Sequence, residues 1–152
     1  MAKATTGILK LPAIWIGLAV CYWLAADLGL DYAIPPGNAT AVWPPAGIAV
    51  SALLILGYRA WPGIWLGAVA ANATTEVAFT TAIAPGTGNT LEAILAVWLF
   101  HRFIEVDMPF RRVRNVFFFA GIATFSSAVA ATVGATTLRL SGHIQWPQFA
   151  PN

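Results

Sequence analysis

Charge is what this chain has least of. Charged residues fill 9% of its 152 positions, while 59% are apolar; ordinary soluble domains run at about 25% charged. A soluble fold of this size cannot hide so much apolar surface, so the bilayer is read as the solvent. A net charge of +2 is too small to mean nucleic-acid binding. The single cysteine, Cys21, excludes an internal disulfide and any multi-thiolate metal site. In the middle of the first apolar run it reads as a small buried hydrophobe. The two histidines, His101 and His143, fall on opposite sides of the membrane in the span order below, so they cannot share a metal. Gly86-Thr-Gly88 lacks the preceding strand and third glycine of a nucleotide loop. No Ser/His/Asp or Cys/His set can meet on one side. The chain is therefore expected not to be an enzyme and to carry no catalytic residues, metal or cofactor.

What it has instead is long apolar runs. A helical span takes about 20 mostly apolar residues, and stretches near 11–30, 43–58, 61–83, 90–104 and 115–138 meet or approach that length. The predicted fold class is all-α, a polytopic membrane helix bundle of about five transmembrane helices. Residues 1–152 read as one integral-membrane domain. Lys3 and Lys10 precede the first run, which is too long for a cleaved signal and reads as an uncleaved signal anchor. Pro44 and Pro45 suit the first turn of the second helix. Asn89 and Thr90 before Glu92 read as an N-cap with its capping-box partner opening the fourth helix. The Ala82–Gly88 segment reads as the preceding turn.

The basic residues agree with this division. With the N-terminus in the cytoplasm, the inner segments hold Lys3, Lys10, Arg59, Arg102, Arg111, Arg112 and Arg114, leaving only Arg139 outside. The C-terminus then lies on the extracytoplasmic side.

Of the six carboxylates, Asp27, Glu76 and Glu92 fall within or at the edge of spans. Ionisable groups at membrane depth are costly and mark function by default. At about 1.5 Å per residue, Asp27 and Glu76 sit roughly 22–24 Å from the cytoplasmic edge of the core. Asn72 and Glu76 are one helical turn apart, and Thr80 continues their stripe. One reading is a polar pocket opening outward, lined by Asp27, Asn72, Glu76 and Glu92, with Arg139 as counter-ion or ligand anchor. In the other, Asp27 is hydrated at the interface, Glu92 caps a helix and Glu76 pairs with Arg139 to hold the bundle. Trp43 ends an irregular Pro/Gly loop, and such backbone is tolerated at membrane depth only when covered by protein or facing a water-filled cavity. It is expected to dip against the bundle at the outer mouth.

Gly63-Ile-Trp-Leu-Gly67 and Ala130/Gly134 are small-xxx-small steps suited to close helix packing within the bundle. The wording of Gly37-Asn-Ala-Thr-Ala-Val-Trp-Pro-Pro-Ala-Gly-Ile-Ala and Leu56-Gly-Tyr-Arg-Ala-Trp-Pro-Gly-Ile-Trp-Leu-Gly67 resembles the first type of membrane-associated sensor domain, the MASE family of bacteria. Ala71-Asn72, Gly88-Asn-Thr-Leu-Glu-Ala93, Phe110-Arg-Arg112 and Thr132-Val-Gly-Ala-Thr-Thr137 share the likeness.

The resemblance implies a sensory module of the bacterial inner membrane. Such a module would pass a ligand or membrane-associated signal to a cytoplasmic kinase or cyclic-di-GMP output that this chain does not contain. It also implies further spans, so the domain is expected to be incomplete at its C-terminus. Expected partners are the lipid bilayer, a small-molecule ligand and a second copy through the full-length protein, with no nucleic acid. The alternative is a solute-binding or transport-like membrane subunit acting with a partner.

Overall fold

A computed structural model describes residues 11–32, 43–74, 79–104 and 113–140, the side chain of Leu138 excepted. Among them are α1 (Leu11–Leu30), α2 (Pro44–Leu56), α3 (Trp61–Ala73), α4 (Phe79–Phe103) and α5 (Val113–Leu140), with a 3-10 turn at Tyr58–Ala60. No strand occurs among the described residues. The helices α1 and α5 are each long and apolar enough to cross a membrane.

Local chemistry sets the ends of the α2–α3 hairpin. Pro44 and Pro45 open α2 and Pro62 lies in the first turn of α3, positions where a missing N–H leaves no bond unmade. Gly57 ends α2 at φ 77° and ψ 176°, a region essentially reserved for glycine. A Cβ added there would meet nothing within 4 Å, so substitution incurs backbone strain alone. Gly57→Ala is expected to lower stability by about 1–3 kcal/mol, read as a drop in the unfolding midpoint in detergent. Gly47→Ala, inside α2 and also in open space, should leave it unchanged or raise it by up to about 1 kcal/mol.

Contacts fix the direction of each helix. The Trp15 indole donates to the Arg59 carbonyl at 2.8 Å, holding the start of α1 beside the α2–α3 turn. A Cβ on Gly63 would lie 2.8 Å from the Trp15 backbone, and one on Gly67 2.7 Å from the Ala19 carbonyl and the Tyr22 Cβ. Residues 15 and 19 thus face 63 and 67, and α1 and α3 run parallel with their backbones in contact. The small-xxx-small step at Gly63/Gly67 does pack the bundle. The step at Ala130/Gly134 does so at one residue only. Gly134 faces open space, whereas the Ala130 carbonyl lies opposite Gly88.

The helix α4 returns antiparallel to α3, with the Trp65 indole donating to Thr87 Oγ1 at 3.1 Å and Gly86 against the Val69 backbone. The helix α5 then runs back along α4. Gly88 meets Val133, and Phe103 stacks on Phe118 with ring centroids 6.0 Å apart. Arg102 lies over the Phe103 ring and Arg114 over the Phe118 ring, 5.7 and 5.8 Å from the ring centroids. Phe100 and Ile104 pack with Val50 and Leu54, so the end of α4 sits beside the end of α2. Arg59, Arg102 and Arg114 therefore share one end of the bundle, and Arg139 lies in the last turn of α5 at the other.

Three expectations are corrected. A single span over 61–83 does not form: α3 ends at Ala73 and α4 begins at Phe79. The Ala82–Gly88 segment is helix, not turn, with Pro85 inside α4. There the Thr87 and Thr90 hydroxyls donate back to the Ile83 and Gly86 carbonyls at 2.8 Å, and the glycines serve close approach to α3 and α5 instead of a reversal. Cys21 is exposed. The inward face of α1 is set by Tyr22, Ala26 and Gly29, and Cys21 falls with Val20 and Leu24 on the outward one.

Candidate functional site

The main core lies among α1 to α4, built largely of alanines with Tyr22, Leu53, Ile64 and Val97. Small residues bring the helices close, and one large side chain fills the space between them. Tyr22 is 1% exposed, wedged where Gly67 lets α1 touch α3. Its hydroxyl lies among Trp43, Asn89 and Glu92. Among the described residues no group meets the Tyr22 oxygen with hydrogen-bond geometry. A buried hydroxyl left in that state typically costs about 1–3 kcal/mol.

Glu92 is the buried carboxylate of the described bundle, at 8% exposure. Its position is another correction. Glu92 lies in the middle of α4 and not in a capping first turn, and the buried Thr90 bonds within its own helix. The cap-like spacing of Asn89, Thr90 and Glu92 instead places three polar residues at mid-helix. Ser127 on α5 donates to Glu92 Oε1 at 2.5 Å, a bond that ties the middle of α4 to α5.

Trp43 closes the cluster where α2 begins. It is half-buried and packs against the main core, and its ring lies 3.5 Å from the position of a Cβ on Gly29. The expectation that it dips against the bundle holds.

The other expected site residues do not converge here. Asp27 is exposed on α1, one residue past the buried Ala26 and so turned off the inward face. Asn72 is half-buried, and its amide donates to the Ala68 carbonyl at 2.8 Å within α3. Arg139 is exposed at the far end of α5. Glu76 lies outside the described residues. Its supposed stripe does not exist as one helix face, because Asn72 belongs to α3 and Thr80 to α4.

Of the expected set, the structure thus brings together Glu92 and Trp43, and it adds Tyr22, Asn89 and Ser127. Tyr22 was detectable in principle. Tyrosine favours the membrane–water interface, so one near the middle of a 20-residue apolar helix is out of its usual place. Ser127 carried no comparable signal in a helix that also holds Thr124, Ser126 and Thr132.

Chemically the cluster offers phenol, amide, hydroxyl and carboxyl groups beside the Trp43 indole. A family model described as MASE1 matches residues 16–151. No curated protein and no solved structure matches the chain.

Proposed function

The chain belongs to the MASE1 family of membrane-associated sensor domains, and from that premise we propose that it is the transmembrane input module of a bacterial signalling protein. It reads a small ligand or membrane-associated signal and passes it to a cytoplasmic kinase or cyclic-di-GMP output. The family match over nearly the whole chain carries this reading. Five alternating helices cross the inner membrane in it. The α1 start and the Arg59, Arg102 and Arg114 end face the cytoplasm, as the positive-inside bias requires. Reporter fusions at Pro109 and Asn152 should report opposite sides; the same side for both would overturn the five-span topology.

The cluster of Tyr22, Trp43, Asn89, Glu92 and Ser127 is the input site. A carboxylate held in a mid-membrane helix is expensive and is the feature there that most needs a function. In the complete sensor, Glu92→Gln keeps the volume and removes the charge. It is expected to leave the bundle folded and to abolish the response of the output. A folded Glu92→Gln sensor that responds normally would remove Glu92 from the site.

A further inference from the structure

Glu92 is a buried carboxyl in a medium that solvates ions poorly, and Ser127 donates to it. Within electrostatic reach of it is the Tyr22 hydroxyl, almost completely buried and without hydrogen-bond geometry to any described residue. A bound cation would supply a positive charge for one and an occupant for the oxygen lone pair of the other.

We propose that Tyr22, Asn89 and Glu92, with Ser127 at the rim, bind a small monovalent cation of the sodium class between α1, α4 and α5. This deepens the reading of the same cluster as the input site. The donors are phenol, amide, carboxylate and hydroxyl oxygens, the hard ligands that suit alkali and alkaline-earth ions and not soft metals. Charge selects among those ions. With one carboxylate, a monovalent ion leaves the site neutral, whereas a divalent ion would leave a net positive charge at membrane depth. Trp43 lies beside the Tyr22 hydroxyl where α2 begins. Occupation would add a charged contact between α1 and α4, the differential interaction a signal needs to shift a helix equilibrium.

The test uses the purified chain in detergent micelles, beginning in choline chloride. Sodium chloride replaces choline at constant total chloride while the thermal unfolding midpoint is followed. Potassium and methylammonium chlorides serve as parallel arms. Sodium should raise the wild-type midpoint saturably and more than methylammonium does. Glu92→Gln should abolish the rise, and Tyr22→Phe, which removes only a hydroxyl, should weaken sodium affinity about tenfold or more. Should Glu92→Gln fail to fold, Tyr22→Phe decides alone.

A wild-type midpoint indifferent to sodium, a variant that responds as wild type does, or a larger rise with methylammonium would each overturn the proposal. A sodium-indifferent protein whose Glu92→Gln sensor is silent loses the cation and keeps the input site. Sodium binding in a protein whose Glu92→Gln sensor still responds does the reverse.

Discussion

Gly67→Val should unfold the bundle at temperatures where the wild type is intact. The new Cβ would stand 2.7 Å from the Ala19 carbonyl and the Tyr22 Cβ, and 3.0 Å from the Ala19 Cα. Two of those neighbours are backbone, which cannot rotate away, so α1 and α3 must separate. Separation uncovers the alanine-rich core and loses the close packing that holds helices together where lipid is as apolar as their side chains. Overpacking typically costs about 1–3 kcal/mol; an obstruction against backbone belongs at or above the top of that range. The measurement is the unfolding midpoint in detergent, with Gly17→Val as control. Gly17 lies on the same first helix, and a Cβ there meets nothing within 4 Å. Equal midpoints for the two variants would show that α1 and α3 do not touch as described.

The second large effect separates the two contributions of Tyr22. Tyr22→Ala empties the largest fully buried side chain of the bundle and is expected to cost about 3–5 kcal/mol, as aromatic truncations in cores do. Tyr22→Phe keeps the ring and deletes an oxygen that has no hydrogen-bond partner among the described residues, which should be neutral or stabilise by up to about 1–3 kcal/mol in sodium-free buffer. The two variants should therefore move the midpoint apart, one sharply down and one level or up. If Tyr22→Phe proves as damaging as Tyr22→Ala, the hydroxyl holds the fold through a bond that the cluster as described lacks.

The parts of the fold legible in the sequence are those where lipid alone dictates the pattern. The first helix, Leu11–Leu30, has its expected bounds, and α2 and α5 lie within a few residues of theirs. The reading failed where one residue type serves two purposes. Proline and glycine mark turns in water, yet Pro85, Gly86 and Gly88 sit inside α4. There the glycines make room for Val69 and Val133, and a proline is tolerated where neighbouring helices and threonine hydroxyls meet the freed backbone groups. The same ambiguity made Asn89, Thr90 and Glu92 look like a helix start. Glu92 and Trp43 were legible as site candidates because charge and irregular backbone are rare at membrane depth. Asp27 looked equivalent by depth, but depth does not say which way a side chain points. Its neighbour Ala26 took the inward face.

The helix α5 lies almost entirely against α4 and touches little else, and much of its surface, Phe117 and Phe125 included, stays outside the protein core. This gives the bundle a mechanical weak seam. Pulled from the Leu140 end in a force experiment, α5 should peel away as a separate, earlier event, before α1 to α4 yield. The bond from Ser127 to Glu92 is the polar latch on that seam.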